Sequence, residues 1–124
     1  MSVDLKITAE RAEAELPVSI LHLHGWLDAR SEEHLVKAAL DEHNKGARYL
    51  LLEMSEISTM TSAGIRALQK VYHQFTPSPE DPKEMYVKLC DAQPQIYEIL
   101  NITGLLQNIP MYDSLQDALV SFKE

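Results

Sequence analysis

Four hydroxyl side chains crowd the segment Ser58-Thr59-Met60-Thr61-Ser62-Ala63-Gly64, a density not matched elsewhere in the chain. The segment joins an apolar strand pattern to an amphipathic helix pattern, the junction at which ligand sites of open α/β sheets collect. Two kinds of chemistry suit it. Thr61 or Ser62 can cap the helix by accepting hydrogen bonds from its free backbone amides. Alternatively, Ser62 can accept a phosphate, because unpaired N–H groups and the helix dipole favour an anion at that place. Ala63 and Gly64 are expected to keep the surface beside the hydroxyl low, so that a partner's backbone or active site can come close.

Other reactive side chains form weaker patterns. His22 and His24 alternate along a strand and so share one face, a spacing that could give zinc two imidazole ligands, but no third ligand is evident. Cys90 is the sole cysteine; with only Asp91 as a suggestive neighbour it reads as a small buried residue at a strand end rather than a nucleophile. The pairs Glu32-Glu33 and Glu80-Asp81 read as solvated surface, and Met54, Met60, Met85 and Met111 as filling gaps in the core or near an interface. No phosphate-cradling glycine loop and no catalytic constellation is present, and neither metal nor cofactor is expected.

The elements that must position the hydroxyl cluster follow from periodicity. Leu5 to Ala14 and Val18 to Leu23 read as strands joined by a turn at Glu15-Leu16-Pro17. Leu35, Val36, Ala39, Leu40 and His43 recur at helical spacing, with Ser31 as cap, Glu32 and Glu33 in the first turn and Lys45-Gly46 as stop. Tyr49-Leu50-Leu51-Leu52 is a short apolar run, the pattern of a central strand buried on both faces. A helix then carries Ile65, Leu68, Tyr72 and Phe75 as far as the loop that holds Pro77, Pro79 and Pro82. Met85 to Leu89 reads as a strand, Pro94 to Ile102 as a helix closed by Gly104, and Ile109 to Tyr112 as a short edge strand. A last helix starts from Asp113 as cap and carries Leu115, Ala118, Leu119 and Phe122. Strand and helix alternate after an initial hairpin. The fold class is therefore α/β, a mixed four- to five-stranded sheet with about four helices, right-handed crossovers and Leu50, Leu51, Leu52, Ile65, Leu68, Leu100 and Leu119 in its core.

Composition sets the frame. At 124 residues with 45% hydrophobic side chains, the chain fits one domain, residues 1–124. Its 11 Lys and Arg against 19 Asp and Glu give a net charge of −8, which argues against nucleic acid as a partner. No apolar run reaches the length of a membrane span, and Met1 to Glu10 lacks the order of a signal peptide. A cytoplasmic protein without membrane insertion is expected, and one cysteine agrees with a reducing compartment.

Four pieces in order give the chain its resemblance. They are Gly25-Trp26-Leu27-Asp28-Ala29, Tyr49-Leu50-Leu51-Leu52-Glu53-Met54-Ser55, Thr61-Ser62-Ala63-Gly64 and Asn101-Ile102-Thr103-Gly104-Leu105. Together they resemble the STAS domain family, and within it the bacterial anti-sigma factor antagonists, over nearly the whole chain. The pieces match that family's glycine-x-leucine-aspartate turn, its central strand ending in aspartate-leucine-serine, its aspartate-serine-serine-glycine motif and its late glycine-leucine. Two positions depart: Thr61 and Glu53 stand where the family has aspartate. The resemblance places the phosphorylated serine on Ser62, with Thr61 and Thr59 as alternative acceptors. It implies a partner surface of Gly25, Asp28, Ser58, Thr59, Met60, Thr61, Ser62, Ala63, Gly64 and Arg66.

It also implies a mode of action. Such proteins regulate transcription by partner switching, a form of signal transduction. The unphosphorylated form sequesters an anti-sigma factor that is also a serine kinase, phosphorylation breaks the complex, and a serine phosphatase resets it. The expected product is a non-enzymatic binding module, a monomer or weak homodimer. The alternative is a STAS scaffold or accessory subunit of a stress-signalling or transporter complex without phosphate control. A small hydrolase or metal enzyme built on the histidines or Cys90 is the third reading.

Overall fold

The computed structural model describes residues 4–12, 14–80 and 84–122. Met1 to Val3, Glu13, Asp81 and Pro82, all part of the expectations above, fall outside those residues, as do the last two positions of the chain. Strands β1 (Lys6–Arg11), β2 (Val18–Leu27), β3 (Tyr49–Met60), β4 (Val87–Cys90) and β5 (Met111–Tyr112) form one sheet in that spatial order. β1 runs antiparallel to β2 and every other pair is parallel. Helices α1 (Glu32–Asn44), α2 (Ser62–Phe75), α3 (Pro94–Ile102) and α4 (Leu115–Ser121) complete the mixed α/β fold expected from the alternation of patterns.

Alternation along the strands sends side chains to two cores. Leu21, Leu23 and Leu27 of β2 and Leu50, Leu52, Met54 and Ile57 of β3 pack with Leu35 and Ala39 of α1, Leu68 and Val71 of α2, and Ile96 and Leu100 of α3. Val18, Ile20, Leu51 and Cys90 face the other way onto Ala118 and Phe122 of α4. Lys88 is buried on that second face; its ammonium donates to Ser121 Oγ at 2.8 Å and lies 4.4 Å from the centre of the Phe122 ring.

Several boundaries differ from the periodicity reading, each for a local reason. β3 is twelve residues long and runs to Met60, whereas only Tyr49 to Leu52 read as strand. Past Met54 its buried positions fall at Ile57 and Met60, a spacing of three, because the pairing with β2 shifts between His22 and His24 and again after Gly25. β2 likewise continues through Gly25 to Leu27, so Gly25 is a strand residue and not a turn. Its φ is +124°, and a Cβ there would stand 2.5 Å from the Asp4 carbonyl oxygen. β4 spans Val87–Cys90, two residues later than the pattern predicts, which leaves Met85 exposed. The cap of α4 is Ser114, whose Oγ accepts from the Asp117 amide at 3.1 Å, and not Asp113. Leu40 is exposed, and Ile65 and Leu119 only border the cores.

Candidate functional site

β3 hands over to α2 in one residue. Thr61 is extended, with φ −111° and ψ 179°, and its amide donates to the Leu27 carbonyl of β2 at 3.0 Å. Its own carbonyl accepts the first helical bond, from Ile65 N at 3.1 Å. Gly64, one turn into the helix, presses on the same Leu27: a Cβ there would be 2.5 Å from the Leu27 carbonyl oxygen and 3.0 Å from Met60 Cγ. The helix start is thus wedged against the end of β2. The small residues serve this packing, because Ala63 and Gly64 are buried and do not form a low outer surface. Met60 and Gly25 are buried as well.

Above that wedge the hydroxyls are free. Thr61 and Ser62 are exposed, and no side chain caps α2. The capping role open to either residue is therefore not taken. The first turn of α2 carries no acidic residue, so no carboxylate of the helix itself answers its dipole. Ser58 is exposed and Thr59 half-buried on the strand just before.

The matching junction between β2 and α1 is built differently. Ser31, the expected cap of α1, makes no side-chain cap bond to the helix. The Oγ turns back instead, accepting from the Asp28 amide at 3.0 Å and donating to the Trp26 carbonyl at 2.8 Å. Asp28 Oδ1 accepts from the amides of Arg30 at 3.0 Å and Ser31 at 3.2 Å. Asp28 thereby shapes the turn that ends next to Leu27, and Ser31 is buried with its hydrogen-bonding capacity used.

Between the two helix starts lies a cluster that sequence reading missed. Glu32, expected on the solvated surface, is buried, with only 10% of its side chain exposed. Arg66 Nε and one terminal nitrogen donate to its two oxygens at 2.8 Å each, a bidentate fork, and Lys70 Nζ reaches Oε2 at 2.8 Å. The hydrogen bond from Arg66, then that from Lys70, hold the Glu32 carboxyl at about 2 against an ordinary 4.5. The available signal was Arg66 and Lys70 four residues apart on one helix face, matched by an acid at the start of α1.

The remaining candidates resolve into structural parts. His22 and His24 do share a face, with His24 exposed. The His22 ring lies between Glu10 Oε2 at 2.7 Å and Glu53 Oε1 at 3.2 Å, so both its nitrogens are engaged. Burial pulls the His22 pKa down, but the contacts with Glu10 and Glu53 outweigh it and raise the value. Glu53 lies within β3, not at its end as the resemblance implies, and its Oε2 accepts from the Ser55 amide at 2.8 Å. Partial burial would raise its pKa; the bonds from Ser55 and His22 prevail and lower it. Cys90 is buried, and desolvation pushes its thiol far above the range in which a thiolate forms. Among the described residues no three His, Cys, Asp or Glu side chains are grouped to hold a metal, and no helix is long and apolar enough to cross a membrane.

Known proteins resemble this chain in sequence and in fold. The family model of the STAS domain matches residues 9–118. BtrV of Bordetella bronchiseptica, assigned as a putative anti-sigma factor antagonist, is 25% identical over 119 residues, 96% of each chain. The crystal structure of an anti-sigma factor antagonist from Mycobacterium paratuberculosis has the same fold, with a TM-score of 0.82, 21% identity and all of both chains covered. The fold also recurs within murine solute carrier 26 family member A9, an anion transporter, with a TM-score of 0.69 and 16% identity over 94% of this chain and 22% of the transporter.

Proposed function

Because the chain belongs to the STAS domain family, we propose that it is an anti-sigma factor antagonist whose grip on its partner is switched by phosphorylation of Ser62. The carrying observation is the state of that hydroxyl: exposed and uncapped at the start of α2, on a backbone fixed by the contacts of Thr61 and Gly64 with Leu27. A kinase can reach it without unfolding anything, and the phosphate it leaves meets free amides and the positive end of the helix dipole.

In the transfer, Ser62 Oγ bonds to the γ-phosphorus of ATP held by the partner, the bond from that phosphorus to the β-phosphate oxygen breaks, ADP leaves, and the hydroxyl proton passes to a base of the kinase. A serine phosphatase reverses the mark by hydrolysis. The docking surface is formed by Ser58, Thr59, Thr61, Ser62, Arg66 and Asp28, which are exposed or half-buried, while Gly25, Met60, Ala63 and Gly64 set its shape from beneath. The protein acts in the cytoplasm as a binding module without catalysis of its own.

Peptide mass spectrometry after incubation with ATP and the anti-sigma factor kinases of the same organism tests this reading. Phosphate on Ser62 is the expected result. Phosphate on Thr59 or Thr61 with Ser62 untouched transfers the switch to a neighbouring hydroxyl, and no phosphate at all supports the scaffold reading, which the fold shared with an anion transporter favours.

A further inference from the structure

Glu32 holds more cation than one carboxylate needs. Arg66 and Lys70 both bond to it, and both share Oε2. Either cation alone leaves the buried acid paired, so Arg66 can depart without exposing an uncompensated charge. Arg66 is also the residue one turn after Ser62 on α2, in the relation that brings side chains together on one helix face. Long helical side chains lean toward the N-terminus, which here means toward Ser62. The Arg66 side chain is 55% exposed, against 10% for Glu32, so its guanidinium has room to turn.

Resting on the phosphorylation reading above, we propose that Arg66 is the receiver of the Ser62 phosphate, leaving its fork on Glu32 while Lys70 keeps that carboxylate neutralised. A dianionic phosphate offers the guanidinium three acceptor oxygens and more charge than a carboxylate already served by lysine. The exchange changes two charged groups at the start of α2, so a partner docked over Ser62 senses phosphorylation at Arg66 as well. Arg66 acts as a positioning residue: it fixes the phosphate and has no part in its transfer.

The test uses protein carrying phosphoserine at position 62 installed during synthesis, so no kinase is needed and the result is independent of whether one modifies Ser62. The second ionisation of the phosphate is followed by phosphorus-31 NMR at low salt in the wild-type, Arg66→Gln and Lys70→Gln backgrounds. Loss of a contacting guanidinium in Arg66→Gln is expected to raise the midpoint by about half a pH unit, with a clearly smaller change in Lys70→Gln. Equal changes in the two variants would show only a general field of positive charge and would overturn the contact. Should Arg66→Gln fail to fold, the Arg66 Nε–H resonance of the wild-type chain decides the matter. It should move with the phosphate's titration, and a resonance identical with and without phosphate rejects the proposal.

Discussion

Ser31 stands at the cap position of α1 and Ser62 one position further in, as the first residue of α2; both follow a strand of the same sheet, and they are put to opposite uses. Ser31 is buried, with its hydroxyl spent on the Asp28 amide and the Trp26 carbonyl. Ser62 is exposed, and its helix has no side-chain cap. At the first junction the side chain holds the turn. At the second, backbone does the holding, through the Thr61 amide on Leu27 and the close approach of Gly64, and the side chain takes no part in it. A hydroxyl at a helix start is therefore no evidence of either role; the bonds it makes decide.

The comparison can be broken from its strongest point downward. Gly64→Ala places a methyl 2.5 Å from the Leu27 carbonyl oxygen, so β2 and α2 must part. A loss of about 3 kcal/mol is expected from this overpacking, read as a lower denaturant midpoint, and an unchanged midpoint would mean that the wedge does not hold the junction. Ser31→Ala leaves the part-buried Asp28 amide and Trp26 carbonyl without their partner and should cost about 2 kcal/mol. Ser62→Ala, at the exposed junction, should stay within about 0.5 kcal/mol of wild type. The account of the two serines fails if that order is reversed.

A smaller effect, visible only in acid, belongs to the cluster that ties the two helix starts together. The folded chain holds Glu32 at about 2, below its ordinary 4.5. A depressed carboxylate contributes stability that is fully present above pH 4.5 and is lost as pH falls toward 2. Glu32→Gln should flatten stability against pH in that window while leaving the curve near neutrality parallel to wild type. An acid limb as steep as before would mean that the pair with Arg66 and Lys70 does not survive in solution.

Much of this was legible in the residues because the chain signals its elements clearly. The apolar run Leu50 to Leu52 marked the central strand, and the four hydroxyls before Ala63 and Gly64 marked the junction where α2 begins at Ser62. The far halves of β2 and β3 were not legible. Register shifts break the period of two, and Gly25, Ser55 and Ser58 carry the composition of a turn while standing in strands. The buried state of Glu32 was hidden for another reason: its partners lie 34 and 38 positions away, and only the packing of α1 on α2 brings them together. Ser31 shows the limit of propensity, since its type and place satisfied every rule for a cap, yet the turn at Asp28 competed for the hydroxyl and won.

The most direct test of the central claim, that the free hydroxyl of Ser62 is the switch, is a calorimetric titration of an anti-sigma factor that binds the wild-type protein with wild type, Ser62→Ala and Ser62→Asp. On the proposed docking surface a partner covers position 62, and an anion there would bring charge and desolvation into the contact. Ser62→Asp should weaken binding at least about tenfold, or 1.4 kcal/mol, with an unchanged far-ultraviolet circular dichroism spectrum, while Ser62→Ala binds as wild type does. Equal affinities for all three proteins would contradict the account and leave Ser62 an ordinary surface serine.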